Sequence, residues 1–126
     1  MIVIVGSRRF DKEIKEVTNF LVKNGVNIIS APYPDIEYDN SLISQWADKG
    51  LVYDHLFKLE GATSCLIYNP DGYVGVNTIF ELGYFVKMNK PIYACFLTKE
   101  TCIDTFINDV YNTVNKNELL SIIKKN

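Results

Sequence analysis

One carboxylate lies inside an otherwise apolar run, Asn77-Thr78-Ile79-Phe80-Glu81-Leu82-Gly83-Tyr84-Phe85. With Ile79, Phe80, Leu82 and Phe85 around it, Glu81 is expensive to bury and hard to expose. Two readings account for it. Either Glu81 is held in place for chemistry, or it is an ordinary ion-pair or dipole carboxylate favoured by the positive end of a helix. The loop Asn69-Pro70-Asp71-Gly72-Tyr73-Val74-Gly75 precedes it, and the apolar run Ser64 to Tyr68 precedes the loop. That order reads as strand, phosphate-sized turn and helix, with Glu81 about one turn inside the helix.

A second turn of the same kind opens the chain. Gly6-Ser7-Arg8-Arg9 follows a first apolar run, Ile2 to Val5. Gly6 lets the backbone turn tightly and approach an anion. Ser7 and the free amides of a helix start can bond phosphate oxygens. Arg8 or Arg9 can add a charge-assisted contact. The turn has neither the three glycines of a dinucleotide fingerprint nor the Gly-Lys-Ser/Thr of a P-loop. The bland alternative is a strand-to-helix turn carrying two solvated arginines. His55, the single histidine, stands beside Asp54. Helical neighbours point about 100° apart, so one of the two would face a site. Tyr33, Trp46 and Tyr73 are loop-side aromatics able to stack on a base.

The elements that position these residues follow from periodicity. Ile2 to Val5 is a β-branched run of the kind buried on both faces of a sheet. Ile14, Val17 and Leu21 recur at helical spacing, with Lys12, Glu13, Lys15 and Glu16 on the wet side, and Asn24-Gly25 stops that helix. Strands are expected at 26–30, 64–68 and 91–97. Helices are expected from residue 41 to 60 with a break near Gly50, and over 77–88, 100–114 and 118–125. Val110, Tyr111, Thr113 and Val114 favour a fifth strand over 108–114 instead. The stretch from Ala31 to Asn40 is irregular, since Pro32 and Pro34 block a helix. Alternating strands and helices predict a Rossmann-like, doubly wound parallel sheet of four to five strands in three α/β/α layers. Such sheets bind ligands beyond the carboxyl ends of their strands, where both turns and the approach to Glu81 lie.

The bulk numbers narrow the classes. A chain of 126 residues with 48% hydrophobic content is expected to form one domain, residues 1–126, with a real core. Thirteen basic against fifteen acidic residues leave a charge of -2, which argues against a sequence-independent grip on nucleic acid. No apolar run approaches a membrane span, and Met1-Ile2-Val3-Ile4-Val5 lacks a basic leader, so it reads as a strand. Cys65, Cys95 and Cys102 are an odd number without metal spacing, which suits thiols in a reducing cytosol. No metal site and no cofactor are expected.

Taken together, Ile4-Val5-Gly6-Ser7-Arg8-Arg9-Phe10 resembles the Gly-Ser-x-Arg opening of nucleoside 2-deoxyribosyltransferase-like proteins. His55-x-x-Lys58-Leu59-x-x-Ala62, Gly75-Val76-Asn77-Thr78-x-x-Glu81-Leu82-Gly83-Tyr84 and Asn89-Lys90-Pro91-Ile92-Tyr93 are similar to the second half of the same superfamily. That superfamily includes 2-deoxynucleoside 5-phosphate N-hydrolases. The resemblance covers about residues 1–30 and 52–96. It implies cleavage or exchange of the N-glycosidic bond of a (deoxy)nucleoside or nucleoside 5-monophosphate, with Glu81 as nucleophile and no cofactor. It places Gly6, Ser7 and Arg8 on the sugar or phosphate, with Arg9 beside them, and Asn77 near a 5-phosphate. Asn69, Tyr73 and Gly75 complete the candidate substrate-binding set. It also implies homo-oligomers with sites near subunit contacts. Two positions depart from the pattern. Gly75 stands where the transferases carry an aspartate. His55 stands where the hydrolases carry one, with Asp54 adjacent, so either is a candidate acid and orienter. The alternative from another class is a non-catalytic domain that binds or senses nucleotides on the same fold.

Overall fold

The computed structural model describes residues 1–29 and 56–126. β1 (Ile2–Val5) runs into a 3-10 turn at Arg8–Phe10, then α1 (Asp11–Lys23) and β2 (Ile28–Ile29). The described end of α2 is residues 56–59. β3 (Ser64–Ile67), a 3-10 turn at Pro70–Gly72, α3 (Val76–Lys87) and β4 (Ile92–Ala94) follow. α4 (Thr101–Asp104), β5 (Asp109–Val110) and α5 (Lys116–Lys125) close the order. The strands form one five-stranded sheet in the order β2-β1-β3-β4-β5, with every neighbouring pair parallel.

Strand alternation divides the core between two faces. Val3, Val5, Cys65, Ile67, Ile92 and Ala94 point to one side, where Leu59, Leu82 and Phe85 cover them. Ile4, Leu66, Tyr68 and Cys95 point to the other, under Ile14, Val17 and Leu21 of α1 and Leu119 of α5. The fold is therefore doubly wound, as the alternation predicts. Lys90 reaches back to tie the end of α2 to the sheet. Its Nζ donates to the Glu60 carbonyl at 2.5 Å and the Leu59 carbonyl at 3.4 Å, a cation on the negative end of a helix.

The expected helix over 100–114 is not found; its alternative is. Helix α4 stops at Asp104, and the chain then returns to the edge of β4. Asn108 decides this: its amide donates to the Ile92 carbonyl at 2.7 Å, and its side-chain oxygen accepts from the Ile92 amide at 2.8 Å. Tyr111 continues the pairing, its amide donating to the Ala94 carbonyl at 2.9 Å. β4 is shorter than the expected 91–97, because the Phe96 amide donates to the Asn69 side chain at 3.0 Å where a strand neighbour would stand. β2 is also shorter than expected, at Ile28–Ile29. The expected helix from residue 41 and the irregular stretch 31–40 fall outside the described residues, apart from the turn at 56–59. No helix among the described residues is long and apolar enough to cross a membrane.

Cys65 and Cys95 are buried and Cys102 is exposed. Burial, and then the charge of Glu81, hold the Cys65 thiol well above its ordinary range. Burial pushes Cys95 from 9.0 up to about 12, against a small lowering by its hydrogen bond with Asn69. A native sample at pH 8 should therefore take up iodoacetamide at Cys102 alone, and at all three thiols once denatured, as read by mass. The same shifts set a pH dependence. The unfolded chain releases these protons near 9.0 and the folded chain does so only at higher pH, so stability falls as pH rises from about 9 toward 12.

Candidate functional site

The sheet order creates a switch point. From β1 the chain crosses by α1 to β2 on one side. From β3 it crosses by α3 to β4 on the other. The connections leave β1 and β3 toward opposite faces, so a crevice opens between the carboxyl ends of these two strands. The opening turn and the loop before α3 meet there. A Cβ on Gly75 would lie 3.3 Å from Ser7 Oγ, so the two loops are in van der Waals contact.

Gly6 is required by close approach. A Cβ there would fall 2.7 Å from the Tyr68 carbonyl oxygen and 2.8 Å from Ile14 Cδ1. Ser7 is buried and caps the short turn, its Oγ accepting from the Arg9 amide at 3.3 Å. Arg8 points outward, 3.9 Å from Asp11. The Arg9 guanidinium lies 4.0 Å above the Tyr73 ring, and Phe10 meets the same ring edge-on at 6.0 Å. Arg9 and Tyr73 thus clasp the two loops together, a contact of the cation–π kind. A base stacking on Tyr73 would use the ring face opposite Arg9, or displace it.

Asn69 differs from the expectation. It is fully buried, its Nδ2 donates to the Phe96 carbonyl at 2.7 Å, and its Oδ1 accepts from the Phe96 amide. Both ends of its side chain are committed to the backbone after β4, so it braces the crevice floor instead of facing a ligand. Just beyond it, Asp71 and Gly72 take positive φ, 56° and 81°. A Cβ on Gly72 would run into the Leu97 carbonyl. The floor is therefore built by the loops after β3 and β4 locking onto each other.

α3 begins without a side-chain cap at its N-cap Gly75. Its inward residues are Thr78, Glu81, Leu82 and Phe85, the i, i+3, i+4, i+7 pattern of one helix face. Glu81 is 7% exposed and lies near enough to Cys65 of β3 for its charge to act on that thiol. The sequence placed a carboxylate in an apolar run, and the structure buries it on the helix face that packs on the sheet. Asn77 is exposed. The sequence reading missed Thr78, which is 1% exposed with a hydroxyl that has no hydrogen-bond partner. Its signal was its place three residues before Glu81, on the same face.

The structure thus brings Gly6, Ser7, Arg9, Tyr73 and Gly75 to one crevice, with Asn69 under it and Glu81 on the inward face of the helix that leaves it. Tyr33, Trp46, Asp54 and His55 lie outside the described residues. Among the described residues no group of three His, Cys, Asp or Glu side chains is placed to hold a metal ion.

No protein family's sequence profile matches the chain, and no curated protein does. Among solved structures, the crystal structure of a conserved protein from Enterococcus faecalis V583 is similar over 98% of this chain and 96% of its own, at a TM-score of 0.49 and 12% identity. That likeness carries no argument. The class stands on the strand pairing itself: a Rossmann-like, three-layer α/β fold with a parallel sheet and a crevice at its switch point.

Proposed function

We propose that this chain breaks or exchanges the N-glycosidic bond of a (deoxy)nucleoside or nucleoside 5-monophosphate, with Glu81 as the nucleophile. The observation that carries the reading is the burial of Glu81 on the inward face of α3, the helix that leaves the switch-point crevice. A carboxylate taken out of water loses several kcal/mol of solvation, and a catalytic role accounts for its being held there. The resemblance of the opening turn and of the Glu81-Leu82-Gly83-Tyr84 segment supplies the reaction class.

In this reading a Glu81 oxygen attacks the anomeric carbon as the bond to the base nitrogen breaks. The base leaves with that electron pair and takes a proton from Asp54 or His55. The sugar is left as an ester of Glu81, and positive charge on the ring at the transition state is stabilised by the carboxylate. Water, or the nitrogen of a second base, then attacks the same carbon and frees Glu81. Gly6, Ser7 and the open N-terminus of α3 suit an anion, and the two arginines favour a 5-monophosphate over a free nucleoside. The enzyme works as a homo-oligomer, and its unpaired thiols suit the cytoplasm.

The test is release of free base from a panel of ribo- and deoxynucleosides and their 5-monophosphates, with and without a second base as acceptor. Release from any member names the substrate. Binding without release by any member would overturn the enzymatic reading in favour of a non-catalytic nucleotide-binding domain.

A further inference from the structure

Of the four buried residues on the inward face of α3, three have a use. Leu82 and Phe85 build the core, and Glu81 is the nucleophile of the reaction proposed above. Thr78 is left over. It is 1% exposed, and among the described residues its hydroxyl has no hydrogen-bond partner.

A threonine in a helix ordinarily serves itself, its hydroxyl donating to a carbonyl three or four residues back. Thr105 does so, bonding the Thr101 carbonyl at 2.8 Å. Thr113, also buried, accepts from the Asn115 amide at 3.0 Å. Position denies Thr78 this outlet, because it is the third residue of α3. Three residues back stands the N-cap Gly75, whose carbonyl already accepts from the Ile79 amide at 3.1 Å. Four back is Val74, outside the helix and beyond an N-cap with extended backbone, ψ 172°.

For stability alone, valine is the better residue here. It has the same branched shape, and it sets a methyl where threonine leaves a polar group out of water without a bond. What the hydroxyl offers is reach to Glu81. In a helix each Cα–Cβ bond tilts toward the N-terminus, so a long side chain covers the turn before its own. Glu81 therefore overlies the turn that carries Thr78, on the same face, with Cβ atoms about 5–6 Å apart. Side-chain rotation closes that gap, and threonine has two usable χ1 rotamers in a helix.

We infer that Thr78 is a positioning residue whose hydroxyl donates to one oxygen of the Glu81 carboxylate while the other attacks the anomeric carbon. The inference rests on the glycosidic reaction proposed above. The described fold does not make this bond; it forms as Glu81 turns toward the crevice. The hydroxyl keeps its own proton throughout. Its bond fixes which oxygen attacks, and it stabilises the charge that returns to Glu81 when the ester is resolved.

The test compares Thr78→Val and Thr78→Ser with wild type, in melting temperature and in the kcat and KM of base release. Valine removes the hydroxyl and keeps the shape; serine keeps the hydroxyl and gives up the methyl. The two orders should cross. Thr78→Val should melt about 3–6 °C above wild type, and Thr78→Ser below it. In turnover Thr78→Val should lose about 10–100-fold in kcat with KM within about twofold, while Thr78→Ser stays within about threefold of wild type. A merely structural hydroxyl gives the same order in both measurements. A Thr78→Val protein that melts no higher than wild type means that the hydroxyl is already satisfied inside the fold, and overturns the inference. So does a Thr78→Val kcat equal to wild type, or a Thr78→Ser kcat as low as that of Thr78→Val. Each of these leaves the enzymatic reading standing. A wild type that releases base from no nucleoside or 5-monophosphate overturns both.

Discussion

Glu81→Gln should abolish turnover while leaving substrate binding in place, with kcat falling by about 10³-fold or more. Glutamine keeps the shape of the side chain and removes the charge and the attacking oxygen, so loss of rate without loss of affinity marks a group that acts in the transition state. Leu82 and Phe85, buried on either side of the next turn, hold α3 on the sheet in both proteins, so the variant should fold. Denaturing the wild type during turnover and weighing it should show a sugar-sized mass gain on the fragment containing 76–87, absent from Glu81→Gln. A variant that keeps full activity would remove Glu81 from the mechanism. Cys65 gives a readout that needs no substrate. Burial is the larger cause of its raised pKa and the charge of Glu81 the second. Glu81→Gln should therefore lower the pH at which the Cys65 thiolate forms, yet leave it above the ordinary thiol range. No change there would mean that the carboxylate does not lie over β3.

Glu81 was legible because a carboxylate in an apolar run stands out locally, and helical periodicity puts it on the inward face with Thr78, Leu82 and Phe85. The same periodicity placed α3 within a residue of its observed bounds. β1 and α1 were legible for the same reason. Residues 100–114 were not, because helix-forming and β-branched residues are mixed there and the deciding contact, Asn108 with Ile92, is long-range. The site divides along the same line. That the opening turn and the loop before Glu81 share an edge follows from strand order. That Arg9 stacks on Tyr73, and that Gly75 rests on Ser7, depends on which loops touch, and one-dimensional spacing does not contain that. Asn69 shows the consequence most clearly. In sequence it is a polar residue in a phosphate-sized turn, open to being a ligand contact. In the fold its partner, Phe96, is 27 residues away, and those bonds hold the side chain fully buried beneath the crevice.

That assignment predicts a loss of stability where a ligand contact would predict a loss of affinity. Asn69→Ala leaves the Phe96 amide and carbonyl without the side chain that now satisfies both, at 3.0 Å and 2.7 Å. Each backbone group orphaned in the interior costs about 1–3 kcal/mol, so the variant should lose about 2–4 kcal/mol, a large share of the stability of a small domain. A thermal midpoint lower by roughly 10 °C is the expected reading. Asn69→Asp separates the two halves of the brace. It keeps the acceptor for the Phe96 amide and, once ionised, loses the donor and sets a carboxylate against the Phe96 carbonyl. Burial and that carbonyl raise its pKa in the folded chain above the unfolded value of about 3.9. Below that value both states are protonated and the acid can still donate, so the variant stays nearer wild type. As pH rises through 4 the unfolded chain gives up its proton first, and the deficit relative to wild type widens until the folded carboxyl ionises. Melting both proteins between pH 3.5 and 7 reads this directly. An Asn69→Ala protein that melts with wild type but binds substrate more weakly would return Asn69 to the ligand and take the brace out of the crevice floor.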